Sequence, residues 1–233
     1  MNRKRGISMF SSIFNYDNPV WRFIGKFFDL MILNILWVVC SIPIFTVGAS
    51  TTAVYYVALK LVRDEDGATV RSFFKSFKEN FRQAAVIWLI LLAAGGVIGF
   101  DLHFFINIYT TASYFRTFMI AIFGAAAIIC AAVTLYVFPL QARFYNPVKK
   151  TLFNAFFMSV RHLLQTIGII VIDVGIIGFV MMVPVFFPLL VLFGFPLLAF
   201  INSYIFTGIF ARYMPKEEVR NDEELRPLFT DDE

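Results

Sequence analysis

The class of fold is decided by residues 166–211, which read TIGIIVIDVGIIGFVMMVPVFFPLLVLFGFPLLAFINSYIFTGIFA. A helix needs about 20 apolar residues to cross a bilayer, and this stretch of 46 residues has a single charged side chain, Asp173. It is therefore long enough for two crossings. A turn near its middle is marked by Pro184, Pro188, Gly194 and Pro196. We predict two spans, Thr166–Phe187 and Leu189–Ala211.

Three further apolar runs predict spans over Phe27–Val47, Ala84–Ile106 and Phe118–Leu140. A fourth, Ala49–Val62, is weaker, because its 14 residues make only about 21 Å of helix against a hydrocarbon core of about 30 Å. This segment is either a short span with Lys60 and Arg63 reaching to the headgroups, or the returning arm of a re-entrant hairpin.

Composition agrees with a membrane protein. Hydrophobic residues make up 59% of the 233 residues and charged residues 15%, whereas soluble domains have about 45–50% and about 25%. We predict an all-α, polytopic transmembrane helical bundle of six spans in three hairpins. We expect residues 1–212 to form one membrane domain and residues 213–233, which hold eight acidic side chains, to form a disordered acidic tail in the cytoplasm.

The basic residues predict the orientation. If the chain did not return through Ala49–Val62, the six basic residues of 60–82 would lie outside, against the positive-inside rule. With six crossings, 19 of the 20 basic residues lie inside and only Arg116 outside. This predicts a multi-pass protein of the cell membrane with both termini in the cytoplasm. Nucleic-acid binding is excluded as an interpretation, because the basic residues flank membrane spans.

Two amphipathic stretches, Ala68–Gln83 and Pro147–Leu164, precede outward-going spans, and Met9–Phe14 and Val20–Phe28 are looser versions. Phenylalanines recur in the first two at helical spacing, with basic residues on other faces: Arg71, Lys75, Lys78 and Arg82, then Lys149, Lys150 and Arg161. The pattern is typical of helices in the cytoplasmic headgroup layer, with the lipid bilayer as partner. It fits equally a docking helix for a partner such as a transporter ATPase. Matches at an offset of 79 residues, for example Phe74 with Phe153 and Arg82 with Arg161, suggest that each hairpin repeats one unit.

Polar groups at membrane depth are the candidate site residues, namely Asn34, Asp173 and Asn202. A carboxyl group at position 173 could bind a cation, a proton or a sugar hydroxyl. It could equally form a structural hydrogen bond to a polar group on another helix, such as Asn34, Thr134 or Asn202.

No motif for catalysis or cofactor binding is present in the sequence, and there are only two histidines. Asp101 and His103 are two residues apart and do not share a helix face, which disfavours a dyad. We therefore expect no enzymatic activity, no cofactor and no metal site. Cys40 and Cys130 lie in apolar runs and are expected to be packing residues.

The segment DLMILNILWVVCSIPIFTVGASTTAVYYVALKLVRDEDG, residues 29–67, followed by RSFFKSFKENFRQA, residues 71–84, resembles the YesL family of small bacterial integral membrane proteins. That family carries a domain of unknown function. Its members are often encoded beside carbohydrate ABC-transporter genes, so the resemblance implies an accessory role in carbohydrate uptake with such a transporter as partner. The alternative is a substrate- or ion-binding transport component that uses Asp173.

Overall fold

The computed structural model describes residues 19–65, 67–109, 111 and 113–213, with side chains from residue 23 onward. Within these ranges the chain is helical, without a β-strand. Its seven helices are α1 (Pro19–Ser41), α2 (Val47–Val62), α3 (Thr69–His103), α4 (Tyr114–Arg143), α5 (Val148–Arg161), α6 (Leu163–Met182) and α7 (Phe187–Phe210). The stretch Met9–Phe14 and the acidic tail from residue 214 lie outside the described residues.

Six of these helices are long and apolar enough to cross a membrane, and α5 is the one that is not. The prediction of an all-α polytopic bundle is confirmed. The turn predicted in the last apolar stretch is a short 3-10 helix, Pro184–Phe186, between α6 and α7. A π-helical turn, Phe104–Ile108, extends α3 at its end.

The weakest predicted span, α2, is the centre of the bundle. In the most apolar 18 residues of the helical segment that contains α2, 67% of the residues are buried. The corresponding share is 17% for the segments that contain α1, α3, α6 and α7. It packs against α1, α3, α4 and α7. The small residues of its first half, GASTTA at 48–53, let those helices approach closely. The hydroxyl groups of Ser50 and Thr52 donate to backbone carbonyls one turn back, so neither is left unsatisfied.

A 3-10 turn, Ile44–Thr46, precedes α2 and lengthens it. Turn and helix together cover 19 residues, which corresponds to about 30 Å. Length therefore does not argue against a full crossing. At the other end of the hairpin, Lys26 forms an ion pair with Asp64 at 2.7 Å, and the Thr69 hydroxyl donates to Asp29 at 2.6 Å. The chain thus returns to the side on which α1 begins.

The two amphipathic stretches differ in the structure. Ala68–Gln83 is not a separate helix but the first half of α3, which runs without a break into the following span. Its Phe73 is fully buried in the core. The second stretch forms the separate helix α5, which begins after Pro147 and ends at Arg161, because the backbone leaves the helical conformation at His162. The predicted repeat is therefore imperfect in its geometry.

The distal half of the second hairpin packs little against the other helices. Beyond Leu91 no residue of α3 is buried, and burial in α4 begins only at Tyr136. The Arg116 guanidinium group donates to the carbonyls of Phe105 and Ile106, which ties the two helices together at the tip. Most of the exposed side chains between these limits are apolar, for example Val97, Phe100, Phe118, Ile122 and Ile128. Helices with such a surface suit a lipid environment.

At Gly48 the backbones of α2 and α3 lie in close contact, and the replacement of this glycine tests the core. A Cβ atom at this position would lie 2.5 Å from the Ala84 carbonyl oxygen and 2.6 Å from Trp88 Cβ. We expect Gly48→Ala to lower the free energy of unfolding by about 1–3 kcal/mol, the usual cost of overpacking. Unfolding of the purified protein in mixed micelles measures this.

Gly95→Ala is the matched control, because nothing lies within 4 Å of a Cβ atom there. We expect this variant to be neutral or slightly more stable, since alanine favours the helix. Equal stability of the two variants would contradict the assigned packing of α2 on α3.

Candidate functional site

Asp173 and Asn202 form a polar pair between α6 and α7. The Asn202 side-chain amide donates to both carboxylate oxygens of Asp173, at 3.0 and 3.1 Å. Asn202 is 1% exposed, whereas Asp173 is half-buried. Of the three partners considered for Asp173, the structure selects Asn202. Thr134 instead donates to the Cys130 carbonyl on its own helix.

Tyr55 of α2 belongs to the same polar cluster. It is buried, interacts with the Asn202 side chain and lies within range of the Asp173 charge. Its ring meets those of Phe195 and Phe206 edge-on. Sequence reasoning missed this role, because a tyrosine in an apolar run is normally a packing residue. Only the contact between α2 and α7 brings its hydroxyl group to Asn202.

The chemical capacity of the Asp173 cluster is limited. Both carboxylate oxygens accept hydrogen bonds, and a single carboxylate supplies too few ligands for a divalent cation. In the part of the chain that the structure describes, no group of three or more His, Cys, Asp or Glu side chains is placed to hold a metal ion. One polar atom is left over, since Asn202 Oδ1 is buried and has no partner among the described residues.

Asn34 lies apart from this cluster and holds a break in α7. Its amide donates to the Val191 carbonyl at 2.8 Å. The backbone of α7 is interrupted at Gly194, whose φ of 35° and ψ of −132° are not helical, and Pro196 follows. A carbonyl group near such an interruption needs a new donor at membrane depth, because lipid offers none. Asn34 supplies that donor.

An apolar cleft of about 780 Å³ lies between α1, α6 and α7. Asn34 and Gly194 are among its lining residues, and the remainder are almost all apolar. Trp37 and Phe195, also in the lining, stack with ring centroids 5.1 Å apart. A second cavity, of about 370 Å³, lies beside the Lys26–Asp64 ion pair. Asp173 lines neither of them.

The junction between α5 and α6 carries a second hydrogen-bond network. His162 Nε2 is 2.9 Å from the Tyr213 hydroxyl oxygen, and the Tyr136 hydroxyl is 2.9 Å from that of Thr166. The Thr166 hydroxyl also contacts the carbonyls of Ser159 and His162. Burial lowers the pKa of His162 below its ordinary value, and the charges of Arg212 and Arg161 lower it further.

All seven basic residues predicted as interfacial anchors have exposed side chains. Four are on the first half of α3 (Arg71, Lys75, Lys78 and Arg82) and three on α5 (Lys149, Lys150 and Arg161). The Arg161 guanidinium group lies over the Tyr213 ring, 5.7 Å from its centroid. Asp101 and His103 lie near the end of α3, outside both polar networks. Cys40 and Cys130 are free thiols.

A double-mutant cycle tests the contact between Asn34 and the interrupted part of α7 around Gly194. Asn34→Ala removes one interhelical hydrogen bond, worth about 0.6–1.7 kcal/mol in a membrane protein. Gly194→Ala places a Cβ atom 2.6 Å from Asn34 Oδ1 and adds the strain of a positive φ, about 1–2 kcal/mol. In the double variant the steric conflict is gone and only the strain remains. We therefore expect it to lose less stability than the sum of the single variants, as measured by unfolding in mixed micelles. Additive losses would show that the two residues do not interact.

The lowered pKa of His162 predicts a stability that depends on pH. Because the folded protein disfavours the charged imidazole, the unfolded state binds more protons once the pH falls below about 6.5. Stability is therefore complete above that pH and is lost as the pH decreases. We expect the melting temperature to fall between about pH 7.5 and about pH 5.5, and this fall to be smaller in His162→Gln. His103→Gln, which changes the exposed histidine of α3, is the control and should keep the wild-type dependence. If the melting temperature of His162→Gln depended on pH as in the wild type, other titrating groups would be responsible for that dependence.

Comparison with known proteins finds a family match over most of the first hairpin and α3. The model described as "Protein of unknown function, DUF624" matches residues 30–102, a range that includes Asn34 and Gly48 but neither Asp173 nor Asn202. The chain is also 28% identical over 134 residues to "Uncharacterized protein YesL" of Bacillus subtilis (strain 168), an alignment that covers 56% of this chain and 61% of that relative. No solved structure matches the chain significantly. The resemblance expected from residues 29–84 is confirmed, and over residues 30–102 the chain is similar to the YesL/DUF624 family, whose function is unknown.

Proposed function

We propose that this protein is an accessory membrane component associated with carbohydrate uptake, with no enzymatic activity of its own. The observation that carries the proposal is the use of its membrane-depth polar groups inside the fold. Asn34 holds the broken helix α7, and Asn202 holds Asp173. A polar group spent on a structural bond is not presented to a substrate. The outward-facing surface of the helices is then the part available for contacts, which suits a protein that acts through neighbouring proteins.

The link to carbohydrate uptake rests on the family resemblance, and the proposed partner is a carbohydrate ABC transporter. The proposal places the protein in the cell membrane with both termini in the cytoplasm. Two observations support this orientation. The first hairpin returns to the side on which it starts, as the Lys26–Asp64 pair requires, and 19 of 20 basic residues then face the cytoplasm.

A transport component that binds its own substrate or ion at Asp173 is the alternative. The observation in its favour is the buried, unpartnered Asn202 Oδ1 atom next to Asp173 and Tyr55. Against it, both Asp173 oxygens are already hydrogen-bonded, and Asp173 does not line the cleft between α1, α6 and α7. The accessory function is therefore the better supported of the two.

Crosslinking in native membranes tests the accessory function. Membranes from a host that grows on a complex carbohydrate are treated with a short crosslinker, and the tagged full-length chain is purified in mild detergent. We expect transporter subunits to be recovered with it. Recovery of intact bait without any transporter subunit would contradict the proposal.

The variant Asp173→Asn separates the two functions in the same experiment. The substitution removes the charge while it keeps the size of the side chain and one acceptor oxygen. We expect unchanged abundance, an unchanged set of crosslinked partners and unchanged growth on the carbohydrate. Loss of growth with partners still bound would favour the transport alternative, because only that function needs an ionised Asp173.

A further inference from the structure

Helix α5 keeps its apolar face outside the fold. Its inner face is made of Thr151, Ala155, Met158 and Ser159, which are buried, mainly against α4. Phe153 is 60% exposed and Phe157 53% exposed, and their rings lie 4.4 Å apart between centroids. Phe156 and Val160 extend the same exposed surface. In a soluble protein the large apolar side chains of such a helix would face the core, whereas in α5 the phenylalanines remain outside it.

The charges of α5 are all of one sign. Lys149 and Lys150 lie in its first turn, Arg161 is its last residue, and its 14 residues include no acid. None of the three forms an ion pair with an acid in the described ranges. Two lysines in a first turn are unfavourable, because the helix dipole is already positive there. An anion bound at this end would remove that cost.

The chain holds α5 beside the membrane. Four residues, 144–147, link it to α4, and His162 alone separates it from α6. Both neighbouring helices are candidate membrane spans. Helix α5 therefore cannot move far from the surface at which α4 ends and α6 begins. A helix held there, with phenylalanines on one face and lysines at one end, has the chemistry of an interfacial anchor.

The similar stretch of α3 shows that this placement is not simply a property of phenylalanine-rich sequence. Phe74 and Phe77 are equivalent to Phe153 and Phe156 at the 79-residue offset. In α3, however, Phe73 is fully buried and Phe77 stacks on it, with centroids 6.0 Å apart. The phenylalanine face of α3 is thus partly used by the fold, whereas that of α5 is left for an outside partner.

We propose that α5 binds anionic phospholipids of the leaflet on which α4 ends and α6 begins. The face of Phe153, Phe156, Phe157 and Val160 inserts among the acyl chains just below the headgroups. Lys149, Lys150 and Arg161 contact the lipid phosphates. This function is independent of the proposed association with a transporter. A lipid surface fits better than a protein groove, because the whole helix is cationic and stays at the membrane through both of its connections.

The depth of α5 in a bilayer provides the first test. In the full-length protein, Cys40 and Cys130 are replaced by alanine, and a nitroxide spin label is attached to the new cysteine of Phe153→Cys. The labelled protein is reconstituted in vesicles of equal parts phosphatidylcholine and phosphatidylglycerol. We expect the label to collide with oxygen and to be shielded from a water-soluble nickel complex, at a depth of about 5–10 Å below the headgroups. A label at Lys150→Cys should be accessible to nickel. Nickel access at position 153 equal to that at position 150 would overturn the proposal.

Lipid selectivity provides the second test. Native mass spectrometry of the purified protein measures the binding of phosphatidylglycerol relative to phosphatidylcholine. We expect the preference for phosphatidylglycerol to be about thirtyfold weaker in the double variant Lys149→Gln/Lys150→Gln. This factor is the effect of removing two charges at a lipid surface. The matched pair Lys75→Gln/Lys78→Gln on α3 should lose much less. Equal losses in the two pairs would overturn the assignment to α5. The proposal would also be overturned if the label at position 153 were shielded from nickel in native membranes but not in vesicles. That result would identify a protein partner.

Discussion

The close approach of α2 to its neighbours is the contact on which the rest of the fold depends. Lipid removes the hydrophobic drive between helices, so association rests on dispersion contacts and hydrogen bonds at short range. Gly48 gives the backbone of α3 direct contact with α2. The Trp88 indole then donates to the Ile44 carbonyl at 2.8 Å, and that of Trp37 to the Thr51 hydroxyl at 3.3 Å. The first bond reaches the 3-10 turn that precedes α2, and the second reaches the small-residue half of α2 itself.

This central role explains which parts of the fold the sequence could predict. Apolar length and the distribution of basic residues predicted six spans and the return of the first hairpin, since both depend on local composition. The position of α2 could not be predicted in the same way. A helix surrounded by protein needs small and hydroxyl side chains such as Ser50 and Thr52, which lower its hydropathy. The segment predicted as the weakest lipid-facing span is therefore the most buried of the six.

The polar residues were predicted as candidates, but their partners were not. Asn34, Asp173 and Asn202 stood out because polar groups are costly at membrane depth. Which of them meet depends on how α1, α6 and α7 pack, and no local pattern encodes that. Gly194 illustrates the difficulty. It was predicted as part of the turn between two spans, yet it lies within α7, where its positive φ breaks the helix and leaves a carbonyl group that Asn34 satisfies.

Local sequence patterns also did not predict how α3 and α5 pack, and this difference affects which surfaces are exposed. Both stretches carry phenylalanines and basic residues, but α3 continues unbroken and packs against α2, whereas α5 ends at Arg161, just before His162. Because Asn34, Asp173 and Asn202 are bound internally, the exposed surfaces left for partners are the apolar distal hairpin and the phenylalanine face of α5 with its basic ends. The proposed contacts with lipids and membrane neighbours therefore depend on this outer surface.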